Sequence, residues 1–157
     1  MNRVGIGIDV HRFAAGRKCI IGGVEIPHEV GLEGHSDADV LAHAIADALL
    51  GAAALGDIGK YYPPSDMKFK DMDSMVIVRE CAERVRKAGG RINNVDAMII
   101  AQAPKMAPNI PKMQEVLGKH MGVASTQVSV KATTSEHMGF TGRKEGIVVV
   151  AIASVEM

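Results

Sequence analysis

Residues Val4–Val10 keep a two-residue rhythm, with Ile6, Ile8 and Val10 on one face and Gly5, Gly7, Asp9 and His11 on the other. A period of two predicts a β-strand, because successive strand side chains point to opposite faces. The two glycines leave room on their face for a ligand or for another backbone. Lys18–Ile21 and Val24–Ile26 are short apolar runs separated by Gly22-Gly23, a pair suited to a tight hairpin turn, and Pro27 ends the unit. Gly31 and Gly34 then mark a loop.

The rhythm becomes helical after Ser36. Ser36 with Asp39 three residues on resembles a capping box, and it predicts an alanine-rich helix running to about Ala54, ahead of Gly56. Asp39, His43 and Asp47 recur four residues apart as one polar stripe on an otherwise apolar helix. A solvated stripe would normally carry Lys and Glu rather than His between two Asp. Gly56 through Asp66 is rich in turn formers and predicts a long loop suited to covering a substrate. A second helix is predicted over Ser74–Ala88, capped by Asp73 or Ser74 and stopped by Gly89-Gly90.

Val95–Ala103 and Ile147–Val155 are apolar on both faces, which predicts central strands. Pro104, Pro108 and Pro111 delay regular structure until a helix that starts near Pro111 and ends around Met121-Gly122. Val128–Lys131 reads as a short strand and Gly139–Arg143 as a tight loop. The elements predict an α/β (α+β) fold: a single mixed four-stranded sheet with helices on one face, plus a small hairpin. Three helices are too few to cover both sheet faces. The uncovered face, carrying Ile6, Ile8 and Val10, is expected to pack against other subunits.

Composition sharpens this picture. The length of 157 residues predicts one domain, 1–157, and 47% apolar residues are enough for a sizeable core. Aromatics are only 3%, so small residues and ten Met must fill the interior, which favours close approach of helix and sheet. The formal net charge is zero and no basic block exists, which argues against a nucleic-acid partner. Cys19 and Cys81 have neither metal-like nor redox spacing and suit a reducing compartment. No charged segment followed by an apolar one opens the chain, and the apolar stretch Ile147–Ala153 is too short to span a bilayer. The expectation is a cytoplasmic protein with no membrane partner.

Asp9 and His11 share a strand face, and a carboxylate beside an imidazole suits zinc. His43 supplies a third ligand from the helix. Structural zinc sites usually take four protein ligands, whereas three leave a corner open for water or a substrate oxygen. His28, His120 and His137 have no comparable company. There is no Walker loop, Gly5-Ile6-Gly7 lacks the third glycine of a dinucleotide fingerprint, and no serine nucleophile elbow occurs. The unusual polar residues are instead suited to phosphate: Ser36, Lys105, Thr133, Thr134 and Arg143. A metal site with scattered phosphate ligands points to phosphoryl or diphosphate chemistry.

These stretches resemble the 2-C-methyl-D-erythritol 2,4-cyclodiphosphate synthase family. The matching segments are Asp9-Val10-His11, His35-Ser36-Asp37-Ala38-Asp39-Val40 with His43, Leu55 to Lys60, Ala101 to Met106, Lys131 to Glu136 and Gly139 to Arg143. They span nearly the whole chain in the family's order. The resemblance implies Zn2+ on Asp9, His11 and His43, one per subunit, with a substrate oxygen as fourth ligand, so that Asp9 and His11 also meet the substrate. It implies His35 and Thr134 as transition-state stabilisers, with Ser36 beside the reacting phosphates. Asp57, Ile58 and Gly59 would contact the methylerythritol and ribose region, and Tyr62, Pro63, Pro64, Ser65 and Asp66 would close over it. Ala101, Gln102, Ala103, Pro104, Lys105, Met106 and Ala107 would hold cytosine. Thr133, Thr134, Ser135 and Glu136 would line the phosphates, with Glu136 binding a second ion, Mg2+ or Mn2+.

The family forms homotrimers with interfacial active sites. Phe140 and Arg143 match residues near a central cavity that can hold an isoprenoid diphosphate. Ser135 stands where the family often has Thr, and Pro64 replaces an acidic or polar lid residue. The implied reaction cyclises a cytidine diphosphate substrate and releases CMP in the non-mevalonate isoprenoid pathway. Two alternatives stay open on the residues alone: a metal-dependent phosphohydrolase on the same scaffold, and a non-catalytic trimer that binds isoprenoid diphosphates around a structural zinc.

Overall fold

A computed structural model describes residues 1–157. Strand β1 (Asn2–Ala14) is followed by β2 (Cys19–Ile21) and β3 (Val24–Ile26), which form their own two-stranded sheet. Gly22 and Gly23 both lie in the left-handed region, at φ 61° and 73°, as a two-residue turn of this twist requires. Next come β4 (Gly31–Leu32), α1 (Val40–Ala52), α2 (Ile58–Tyr61), α3 (Ser74–Lys87) and β5 (Arg91–Ile100). The chain ends with α4 (Ile110–Met121), β6 (Val128–Thr133), α5 (Gly139–Gly142) and β7 (Gly146–Glu156).

The main sheet is mixed and five-stranded, in the order β4-β1-β7-β5-β6, rather than four-stranded. The extra strand is only Gly31–Leu32, paired with Phe13 and Ala14. Two residues carry no periodic signal, so this strand exists only through its partner. As expected, β5 and β7 are central. β1 extends beyond Val4–Val10 because it pairs with β7 from Asn2 to Arg12.

Three other local expectations differ. Asp39, not Ser36, caps α1, accepting from the Ala42 N–H at 3.0 Å. The predicted long loop after Gly56 contains α2, capped by Asp57 and tied down by the Ile58 N–H donating to Asp47 Oδ1 at 2.8 Å. The tight loop expected over Gly139–Arg143 contains one helical turn, Gly139–Gly142.

The helices α1, α3 and α4 cover one face of the sheet. Helix α1 is buried nearly all round, with Leu41, Ile45 and Leu49 in the main core and Ala46 and Leu50 against Ile77 and Cys81 of α3. Its alanines let it settle directly onto β1. A Cβ built on Gly7 would lie 2.9 Å from the Ala48 nitrogen and would collide with the Ala44 carbonyl oxygen; one built on Gly5 would collide with the Ala48 oxygen. The glycine space in the strand is therefore filled by another backbone.

The opposite face is open. Val4, Ile6, Ile8 and Val10 are 73%, 62%, 57% and 50% exposed, and Ile152 beside Ile6 is 48% exposed. β7 runs antiparallel to both β1 and β5, and β6 runs parallel to β5. The C-terminal ends of β1, β5 and β6 thus lie along one end of the sheet. No helix is long and apolar enough to cross a membrane.

Candidate active site

Three side chains converge where β1 passes the first turn of α1. Asp9 and His11 share the helix-covered face of β1, and His43 reaches them from α1. His11 Nε2 lies 2.7 Å from Asp9 Oδ2, His43 Nδ1 lies 3.2 Å from the same oxygen, and the two ring nitrogens are 3.3 Å apart. Ligands about 2.0–2.1 Å from a tetrahedral zinc stand roughly 3.3 Å from one another. The remote ring nitrogens are anchored: His11 Nδ1 donates to the Glu33 carbonyl at 2.7 Å, and His43 Nε2 meets Ser74 Oγ at 2.8 Å. Each ring then turns its other nitrogen toward the centre. Two imidazole nitrogens and a carboxylate oxygen facing one point form a candidate site for a divalent metal.

Without a cation, the triad shares charge. Burial pushes the Asp9 carboxyl up, but the hydrogen bonds and charges of His11 and His43 outweigh it and hold the group below the usual carboxylate range. Burial pushes His11 down, and Asp9 together with the Glu33 carbonyl and the Asp39 charge more than offsets this, holding the imidazole above its ordinary value.

The triad opens on a pocket of about 220 Å³. Of the other residues expected there, His35, Ser36, Ile58, Gly59, Tyr62 and Pro64 line it. Phe69 and Ile77 line it too and carried no signal beyond being apolar. His35 Nε2 donates to the Asp66 carbonyl at 3.1 Å, joining the two loops around the mouth. Tyr62 packs on Phe69 with ring centroids 5.3 Å apart, and its hydroxyl donates to Glu80. Asp57, Pro63, Ser65 and Asp66 do not line the pocket. Asp57 caps α2 through the Lys60 N–H, and Asp66 caps the short turn at Met67–Phe69.

A second pocket of about 330 Å³ gathers Ala101, Gln102, Pro104, Lys105, Met106 and Ala107 with Thr133 and Thr134. Ala103 is left out of its lining. The turn after β6 leans on this pocket, since the His137 N–H donates to Gln102 Oε1 at 3.1 Å. Glu136 is exposed on that turn at φ 53°, with its N–H donating to Thr134 Oγ1, and it stands outside the Asp9, His11, His43 cluster. Ser135 Oγ donates to the Met138 carbonyl at 2.7 Å. Phe140 lines a third, smaller pocket with Val10 and His11, while Arg143 pairs with Glu145 at 2.7 Å instead of lining it.

The first two pockets share no residue. Both sit at the same end of the sheet, yet the Thr133 register position aligns through Ile100 and Val148 with Val10, on the open face. Asp9 and His11 are on the covered one. Three strand spacings, about 14 Å, separate β1 from β6.

The family model described as YgbB family matches residues 2–156. A curated 2-C-methyl-D-erythritol 2,4-cyclodiphosphate synthase from Syntrophomonas wolfei is 53% identical over 154 residues, covering 98% of this chain and 98% of that protein. The bifunctional IspDF from Campylobacter jejuni superposes with a TM-score of 0.95 at 42% identity. That match covers 99% of this chain, which spans only 42% of the bifunctional protein. The IspF CDP complex from Plasmodium falciparum superposes with a TM-score of 0.87 at 30% identity, covering 98% of this chain and 95% of the other. With a family match from residue 2 to residue 156 and a curated relative 53% identical over 98% of its length, the chain belongs to the YgbB family.

Proposed function

We infer that this chain converts 4-diphosphocytidyl-2-C-methyl-D-erythritol 2-phosphate to 2-C-methyl-D-erythritol 2,4-cyclodiphosphate and CMP, within one domain and in the cytoplasm. The observation that carries the reading is the convergence of Asp9, His11 and His43 on a pocket lined by His35 and Ser36, in a chain of this family.

An oxygen of the 2-phosphate attacks the β-phosphorus. A new P–O bond closes the ring, the bond from that phosphorus to the bridging oxygen breaks, and CMP leaves with the electron pair. A phosphate monoester, with a second pKa of about 6, is already largely ionised at neutral pH, so the chain needs no strong base. Its work is positioning and charge neutralisation. When bound, Zn2+ on Asp9, His11 and His43 and Mg2+ or Mn2+ at Glu136 supply Lewis-acid and charge-neutralising chemistry to the phosphates.

His35 and Thr134 stabilise the transition state, with Ser36, Thr133, Ser135 and Lys105 holding phosphate oxygens. Asp57, Ile58 and Gly59 contact the sugar-like part, and Tyr62 to Asp66 close over it. The second pocket, Ala101 to Ala107, takes the cytosine. The solved relative with CDP supports a cytidine diphosphate ligand.

The assembly we propose is a homotrimer with the active site at each interface. Two observations support it: the exposed apolar sheet face, and the roughly 14 Å and opposite sheet faces that keep the triad and Thr133 from forming one site within a chain. The cavity enclosed near Phe140 and Arg143 would accept an isoprenoid diphosphate.

The test is CMP release from the substrate with zinc and magnesium present, with product mass recorded. Equimolar CMP and cyclic diphosphate is the expected result. CMP with a hydrated, ring-open product would mean that water attacks, making the protein a hydrolase. Light scattering at three times the chain mass checks the assembly.

A further inference from the structure

His43 has hydrogen-bond partners on both edges of its ring. Nδ1 faces Asp9 and His11, whereas Nε2 faces Ser74 Oγ, 2.8 Å distant, and more loosely Ser36 Oγ, 3.2 Å distant. Ser74 is fully buried and opens α3. The cap of that helix is Asp73, so the Ser74 hydroxyl is free for another task. It donates to Asp37 Oδ1, while the Ser74 backbone N–H donates to Asp37 Oδ2 at 3.0 Å.

The hydrogen between Ser74 and His43 can then be placed. An ionised carboxylate only accepts, so the single hydroxyl hydrogen of Ser74 goes to Asp37. What Ser74 Oγ turns toward His43 is a lone pair, and the hydrogen between them belongs to His43 Nε2. Ser36 Oγ already accepts from the Ala38 N–H at 3.2 Å and is the longer contact. On the other edge the Asp9 carboxylate also only accepts, so without a cation it draws a hydrogen onto Nδ1, and a divalent ion between Nδ1 and Asp9 takes that hydrogen's place. We propose that Ser74 and Asp37 are positioning residues that accept the His43 Nε2 hydrogen and fix the ring, presenting Nδ1 to a divalent cation.

This rests on reading Asp9, His11 and His43 as a metal triad, and the experiment separates the two claims. Nitrogen NMR of the imidazoles in the zinc-loaded protein reports the His43 Nε2 proton directly. Wild type is expected to show an Nε2 proton protected from solvent exchange, and Ser74→Ala a rapidly exchanging one. Zinc affinity, measured by chelator competition, should fall about 10–100-fold in Ser74→Ala and Asp37→Asn and recover in Ser74→Thr, which keeps the hydroxyl. A wild-type Nε2 proton that already exchanges freely overturns the proposal even if no variant folds. So does a folded Ser74→Ala with unchanged proton protection and zinc affinity. If wild type binds no zinc, the metal reading fails, while the Nε2 proton of the metal-free protein, compared between wild type and Ser74→Ala, still judges the Ser74 contact.

Discussion

Gly7 lies directly under the carbonyl of Ala44, and no side chain fits between them. Ala44 follows His43, so the contact that seats α1 on β1 also sets the height of a metal-facing ring above Asp9 and His11. Gly7→Ala forces backbone apart rather than a flexible side chain. It should cost about 3 kcal/mol or more in chemical denaturation and weaken zinc binding together with stability. Unchanged stability would mean that the helix sits farther from the strand than the structure places it.

Asp39 is a second anchor of the same helix. Its buried carboxylate accepts from the N–H groups of Gly22 at 2.8 Å, Gly23 at 2.7 Å and Ala42 at 3.0 Å, tying the β2–β3 hairpin to the start of α1. Asp39→Ala removes the cap and strands two hairpin donors, an expected loss of about 3–5 kcal/mol in urea unfolding. Burial pushes the folded carboxyl up from 3.8 to about 6. A raised folded value means that this group's proton-linked stability is present below about pH 4 and is lost as pH rises through 6. The stability gap between wild type and Asp39→Ala should therefore narrow over that interval.

His43→Ala should abolish CMP release and most bound zinc while leaving the fold intact. The residue sits on a helix whose other faces are packed independently, and alanine is the better helix former. Stability should drop by about 1–3 kcal/mol at most. Metal content by mass spectrometry and far-ultraviolet circular dichroism check both halves. A zinc-free variant with full activity would remove the triad from the mechanism.

Neither thiol should react in the native protein. Burial pushes Cys19 up to about 11 and Cys81 up to about 12, and both are buried. At pH 8 a thiol with a value near 11 is only about 0.1% thiolate, and burial blocks the reagent as well. Alkylation at pH 8 should follow global unfolding in denaturant. Rapid labelling of either cysteine without denaturant would reveal local opening of the packing around Cys19 or between α1 and α3.

The polar stripe on α1 shows where sequence reading reaches its limit. Spacing placed Asp39, His43 and Asp47 on one face, but the fold gives each a different duty. Asp39 holds the hairpin, His43 faces the β1 pair, and Asp47 Oδ1 accepts from Ile58 at the head of α2. Ser74 looked like a helix cap because caps and buried relays use the same hydroxyl. Only the geometry of α3 against α1 separates the two roles.

Local pattern was enough for the long strands and helices and for the types of the site residues. A period of two along β1, two glycines at a hairpin turn and an Asp-x-His pair on one strand face are local matters, decided within a few residues. Long-range packing settles which of these meet. Running β1, β5 and β6 in one direction brings residues near 9, 101 and 133 to one end of the sheet, and pairing puts Asp9 on the covered face and the Thr133 position on the open one. Those choices come from ladder register and burial summed over residues far apart in the chain. No local window contains that sum, so β4, Phe69, Ile77 and the Ser74–Asp37 pair became visible only in three dimensions.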